Sequence, residues 1–209
     1  LARKIGVEVS EREEADLTGL VGSTAHKGAV LAVSRGAPTP KGDLAEELDR
    51  LGDRPAALAL VLDGVTDPQN FGAILRSADL FGVDLAIIPS RRSVQETGTV
   101  ARVSAGASAY VPLVVVPNVP TALGALKDRG FWVYGTDMKG QSCHGTDLKG
   151  RVCLVLGGEG AGMHRLVRER CDALIAIPSA GHVDSFNVSV AAGILMYEVR
   201  RQQGFAPAH

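Results

Sequence analysis

The sequence predicts an α/β domain whose mainly parallel sheet is covered by helices on both faces. Three observations predict it. From Ala56 onward, short apolar runs recur with helical patterns between most of them. The runs are continuously apolar rather than alternating, as strands buried on both faces are. Strand and helix patterns then follow one another in the order that builds a parallel sheet through helical crossovers.

The elements follow in order. Residues 1–35 are charge-rich and too few to hold a core of their own. Within them Glu8–Asp16 reads as an exposed helix or loop, and Gly28-Ala-Val-Leu-Ala-Val-Ser34 as a strand. Gly36-Ala-Pro-Thr-Pro-Lys-Gly42 has the composition of a linker. Asp43–Leu51 reads as a short helix, so residues 36–55 separate the first stretch from a main domain at 56–209. Strands are expected at Ala57–Leu62, Leu85–Ile88, Val111–Val116, Phe131–Tyr134, Val152–Leu156 and Leu174–Ile177. Helices are expected at Phe71–Phe81, Thr97–Ser104, Pro120–Arg129 and Met163–Arg170. A last helix over Asn187–Gln203 places Val188, Ala191, Ala192, Leu195 and Val199 at helical spacing and ends on Arg200, Arg201 and Gln202.

Composition narrows the function classes. The chain has 209 residues, 45% apolar and 22% charged, which is a globular balance. With 22 basic and 23 acidic residues the net charge is −1, so any nucleic-acid contact must rest on a local patch. Aromatics are 4%, too few for a broad base-stacking surface. Cys143, Cys153 and Cys171 form no CxxC pair and fit a reducing, cytoplasmic setting. No apolar run reaches the ~18 residues of a membrane span, and no signal peptide is read. The chain begins at Leu1 rather than Met, which reads as a missing N-terminal portion or as processing. Glycine is abundant, 25 residues against an average of roughly 7%.

In open parallel sheets ligands bind beyond the carboxyl ends of the strands, so the loops there carry the chemistry. After the first strand comes Asp63-Gly-Val-Thr-Asp-Pro-Gln-Asn-Phe-Gly-Ala-Ile-Leu-Arg76. Asn70 stands where a helix begins, either as its cap or as a functional amide. Arg76 stands six residues on, either paired with a carboxylate or facing a substrate. After the fifth strand comes Gly157-Gly-Glu-Gly-Ala-Gly-Met163. It is neither GxGxxG nor a P-loop. It reads as a tight turn with Glu159 at a helix start, or as a backbone cradle for a nucleotide-like ligand. After the sixth strand, Pro178-Ser-Ala-Gly-His-Val-Asp-Ser-Phe-Asn187 runs straight into an apolar helix, and Ser185 or Asn187 is suited to cap it. Cys143-His144 has no second ligand pair at zinc-site spacing, so no metal is expected. Arg165, Arg168 and Arg170 read as a solvated helix end.

Together these segments resemble the SpoU family of RNA ribose 2′-O-methyltransferases, of the SPOUT class. Asn70-Phe-Gly-Ala-Ile-Leu-Arg76 looks like its first motif, and Leu154-Val-Leu-Gly-Gly-Glu-Gly-Ala-Gly-Met163 like its second. Ile177-Pro-Ser-Ala-Gly181 with Ser185-Phe-Asn-Val-Ser-Val-Ala-Ala-Gly193 looks like its third. The stretches around Arg92-Ser93 and Gly106-Ala107 look like the subgroup acting on a guanosine ribose of 23S rRNA. The resemblance spans about residues 56–203. It implies a deep C-terminal trefoil knot, which periodicity does not reveal. It implies S-adenosylmethionine held by Leu156, Gly157, Gly158, Ile177 and Phe186. It implies an RNA substrate (23S rRNA or, as the alternative within the family, a tRNA), a homodimer with a shared active site, and a cytoplasmic enzyme without metal. Residues 1–35 would end an N-terminal RNA-binding domain.

The resemblance places Arg76 at the reacting ribose, with Asn70, Glu159, Ser185 and Asn187 orienting it and the sugar. A guanidinium has a pKa above about 12, which favours charge stabilisation over proton abstraction. Two other classes make different predictions. A Rossmann-like nucleotide enzyme would end its second strand on an acidic residue, whereas Asp84 precedes that strand. A catalytically inactive RNA-binding module would have no need of Arg76, Asn187 and the glycine loop together.

Overall fold

The computed structural model describes residues 9–21, 24, 26–30, 43–90, 111–158, 160, 162–183 and 185–205. The chain divides into two compact units, Leu1–Gly36 and Ala37–His209. In the first, residues 9–13 are irregular and helix α1 (Glu14–Val21) buries none of its residues. The His26 ring accepts from the Gly28 amide at 3.2 Å and meets the Thr18 hydroxyl at 3.0 Å. The strand expected at Gly28–Ser34 is not formed over 28–30, and its remainder lies outside the described residues.

The second unit is built on six strands: β1 (Ala57–Asp63), β2 (Leu85–Pro89), β3 (Leu113–Val116), β4 (Trp132–Ser142), β5 (Arg151–Gly157) and β6 (Ala173–Ala176). Their order is β3-β2-β1-β5-β4-β6, and every pairing is parallel. The central pair, β1 and β5, runs in register from Ala57 opposite Arg151 to Asp63 opposite Gly157.

The period-2 alternation of these strands sorts their side chains into two cores. Leu58, Leu60 and Leu62 of β1 join Val152, Leu154 and Leu156 of β5 on one face. There they pack against Phe71, Ile74, Leu75 and Ala78 of α3 (Pro68–Leu80) and Ala192, Leu195, Met196 and Val199 of the last helix, α6 (Val188–Gln203). Ala57, Ala59 and Val61 join Cys153 and Val155 on the other face. That face is covered by Leu48 and Leu51 of α2 (Leu44–Leu51) and by Ala122, Leu123 and Leu126 of α4 (Val119–Asp128). Each fully buried Leu, Ile or Phe contributes about 1.5–3 kcal/mol, so the two layers dominate stability.

Most element boundaries match the sequence reading within a few residues. Three differ for physical reasons. Helix α3 begins at Pro68 rather than Phe71, with Asp67 as its cap, because proline is preorganised for the first helical turn. Strand β4 runs on to Ser142, beyond the apolar stretch, because it pairs along β6 through a bulge at Asp137–Gly140. Helix α5 shrinks to Arg165–Arg168. The helix expected at Thr97–Ser104 lies outside the described residues.

Two ends are tied by buried polar groups. Asp84 accepts from the Leu58 amide at 2.8 Å and pairs with Arg54 and Arg200, each at 3.1 Å. Arg200 also donates to the carbonyls of Phe81 and Gly82. Asp84 is therefore a structural anchor between β1, β2 and α6.

Candidate active site

The strand order places a crevice at one point. From β1 the chain moves outward through β2 and β3, whereas β5 is flanked on its far side by β4 and β6. The reversal falls between β1 and β5, and in such sheets the carboxyl ends at the reversal form the binding crevice. Here those ends are Asp63 and Gly157.

The loop after β5 folds back on itself. Gly158 and Gly162 form an isolated antiparallel bridge, and the Gly162 amide donates to the Gly158 carbonyl at 3.0 Å. A side chain on Gly157 would strike the Gly162 carbonyl carbon and the Met163 amide, and one on Gly158 would strike the Gly64 carbonyl. These two glycines thus admit the protein's own backbone. Gly160 and Gly162 differ: their φ values are +79° and +68°, and a side chain there would meet nothing within 4 Å. The loop therefore presents open main chain outward.

This loop hangs from the end of β1. The Gly158 amide donates to the Asp63 carbonyl at 2.9 Å. The Asp63 carboxylate is buried and accepts from the His164 amide at 2.7 Å. Its other oxygen lies 2.9 Å from His164 Nδ1. From the far side Arg168 of α5 pairs with Asp137 in the β4 bulge, and that hydrogen bond holds the Asp137 carboxyl below its usual range. Sequence reasoning assigned no role to Asp63 or His164. The available signal was a carboxylate ending an otherwise wholly apolar central strand.

The loop after β6 meets the start of α3. Asp67, not Asn70, caps α3 by accepting from the Asn70 amide at 2.8 Å. Asn187 caps α6, its Oδ1 accepting from the amides of Ser189 at 2.9 Å and Val190 at 3.4 Å. That fixes the orientation of its amide, so Nδ2 donates to Asn70 Oδ1 at 3.0 Å. Two of the expected residues, 117 positions apart, are thereby joined where the first turns of α3 and α6 meet.

The other expected residues are placed as follows. Leu156 is buried at the end of β5, and Ile177 is half-buried just past β6. Phe186 and Ser185 are exposed, with Phe186 at 43%. Arg76 is exposed and makes no ion pair with any described residue. It lies about 240° around α3 from Asn70 at 100° per residue, so the two do not share a stripe. Glu159 lies outside the described residues. Cys143 is buried and His144 approaches Ser142, and no cluster of three ligating side chains occurs among the described residues. Arg165 pairs with Glu169 and Arg168 with Asp137, so these two arginines are engaged within the protein.

An open glycine loop after β5 and an amide pair joining the starts of α3 and α6 thus lie at the carboxyl ends of a parallel α/β sheet, where proteins of this class bind their ligands. The family model for SpoU rRNA methylases matches residues 57–197, and the chain belongs to that family. It is 44% identical over 210 residues to the 23S rRNA (guanosine-2′-O-)-methyltransferase RlmB of Ralstonia nicotianae, covering 99% of this chain and 82% of that one. To the RlmB of Pectobacterium atrosepticum it is 42% identical over 206 residues, covering 97% and 82%. Among solved structures, the SpoU methyltransferase AviRb from Streptomyces viridochromogenes, in complex with AdoMet, is similar with a TM-score of 0.66 and 31% identity. That match covers 75% of this chain and 61% of AviRb.

Proposed function

We propose that the protein transfers a methyl group from S-adenosylmethionine to the 2′-hydroxyl of a guanosine ribose in 23S rRNA. The observation that carries this is the pairing at the carboxyl ends of the strands: the loop after β5 closed by the Gly158–Gly162 bridge, and the Asn70–Asn187 bond that ties the start of α3 to the start of α6. The RlmB relatives, at 42% and 44% identity, support the guanosine and the ribosomal substrate.

The residues fit the methyl donor. Exposed main chain at Gly160 and Gly162, with the strand ends at Leu156 and Ile177, suits the polar edges of an adenine and an amino acid. Phe186 offers an apolar surface for the ring. We place the chain after β6 in a trefoil knot, as the resemblance implies. When bound, S-adenosylmethionine supplies an electrophilic methyl on a sulfonium, so the attacking hydroxyl needs no metal-bound activator. The protein's task is to place a weak nucleophile in line and to stabilise its charge. Asn70 and Asn187 orient the ribose. Arg76 stabilises the developing alkoxide and the adjoining phosphate, and the resemblance assigns Ser185 and Glu159 to orienting Arg76 and the sugar.

Arg76 reaches a reacting ribose through a second copy. It shares an exposed stripe of α3 with Leu80, four residues on and 76% exposed. Beyond that stripe, Phe81 and Phe205 flank the half-exposed Tyr197 of α6, at 6.3 and 5.7 Å between ring centres. An apolar surface of this kind beside the site suits a homodimer in which one protomer lends Arg76 to its partner. Three free cysteines agree with a cytoplasmic setting.

The test is labelled methyl transfer onto 23S rRNA with nucleotide mapping. Arg76→Ala should lower transfer by about 10²–10³-fold, the usual cost of losing a charge-stabilising donor. Its affinity for S-adenosylmethionine in calorimetry should stay within about twofold, because loss of a transition-state contact leaves ground-state binding intact. Full activity in the variant, or methylation of a base, would overturn the reading.

A further inference from the structure

We infer that Asp63 is a positioning residue for the cofactor loop, acting through His164; this rests on the methyltransferase reading. Loops that lie between a strand and a one-turn helix have little intrinsic order, and α5 has only the residues Arg165–Arg168. Something outside the loop must hold it. Asp63 does so at both ends of the loop: its carbonyl takes the Gly158 amide, and its carboxylate takes the His164 amide and the His164 ring. The carboxylate side chain is only 4% exposed, whereas the His164 side chain is 48% exposed. A buried carboxylate needs such donors, since without them its desolvation is uncompensated. Both ends of the loop are thus tied to one residue of the rigid central strand, the Gly158 end through its carbonyl and the His164 end through its carboxylate.

The spatial logic is that of a ligand-orienting outer shell. Asp63 does not reach the open faces of Gly160 and Gly162, yet it holds the root of the loop on which they stand. A loop free to open would still fold, but it would bind the methyl donor only in the fraction of molecules where it is closed.

The experiment compares wild type, Asp63→Ala, Asp63→Asn and His164→Ala in the full chain. Each is measured in three ways: calorimetric affinity for S-adenosylmethionine, KM and kcat in rRNA methylation, and hydrogen exchange of the ligand-free protein at Gly158, Gly162 and His164. Asp63→Ala should raise KM for the cofactor about tenfold, with kcat within about twofold, and speed exchange most at His164 and then at Gly162, while Gly158, bonded to the carbonyl that alanine keeps, changes least. Asp63→Asn should restore most of the affinity, because its oxygen still accepts from the His164 amide while its NH₂ donates to the ring. His164→Ala keeps the main-chain bond and should raise KM by about threefold.

A merely structural Asp63 would lower the melting temperature and leave KM and exchange unchanged in folded protein, and that result would overturn the proposal. If Asp63→Ala does not fold, unchanged KM and exchange in His164→Ala, whose ring is half-exposed, overturn it equally. Wild type that fails to bind S-adenosylmethionine would sink the functional reading instead, while the exchange data still decide whether Asp63 holds the loop.

Discussion

Gly157 and Gly158 have no room for a methyl group, and backbone rather than a flexible side chain is what stands in the way. Gly158→Ala should therefore displace the loop at a cost of about 1–3 kcal/mol. Calorimetry should show a matching loss of S-adenosylmethionine affinity. Gly150→Ala, where nothing lies within 4 Å, should change stability by less than about 0.5 kcal/mol in the same melting assay. Equal behaviour of the two variants would mean the loop tolerates movement at its root. Individual residues were unevenly legible. Asn70 and Asn187 stand out in the sequence because amides precede helices there, and either could be read as a cap. The structure divides the roles: Asn187 caps α6 and Asn70 receives its spare N–H, while Asp67 takes the cap of α3. Asp63 and His164 escaped notice because their bond spans 101 positions, and no local pattern reports a partner that far away.

Helix α6 carries a pH-dependent stabilisation of its own. Two hydrogen bonds from Arg201 hold the Glu198 carboxyl down to about 2, and one from Gln202 adds to them. A carboxyl depressed in the folded state stabilises fully above its ordinary value of 4.5 and loses that contribution as pH falls from there through about 2. Glu198→Gln should thus be less stable than wild type by about 1 kcal/mol at neutral pH. In urea unfolding the gap should narrow steadily below about pH 4.5. A constant gap down to about pH 3 would contradict the assignment. Among elements, those buried on two faces were easiest to read. Strands β1, β2 and β5 announce themselves as unbroken apolar runs because helices cover both sides. The second half of β4 does not, since its exposed Met138 and Lys139 belong to a bulge whose only signal is pairing with β6. Helix α5 was over-read because Leu166 has helical spacing but stays 56% exposed, so no core extends the helix.

At the scale of the whole molecule, the proposed homodimer with a lent Arg76 can be tested by mixing defects. Assayed at S-adenosylmethionine too dilute for Gly158→Ala to bind it well, Arg76→Ala and Gly158→Ala protomers are each strongly impaired alone and should approach about a quarter of wild-type activity when co-expressed, since half the dimers are mixed and each has one intact site. Sedimentation should give twice the 21.8 kDa chain mass. No activity in the mixture would show that each site uses a single chain. Among the described residues, Arg168 and Arg200 are committed to internal pairs with Asp137 and Asp84, so they are not available to an RNA backbone.

The tether from Asp63 to His164 also orders events in time. Residues 101 positions apart must meet before the loop has a root, and the Asn187–Asn70 bond requires 117. Contacts of such separation are slow to form and come after the local helices. During synthesis the chain must be complete beyond Asn187 before that bond can form, so the amide pair is the last part of the site to assemble.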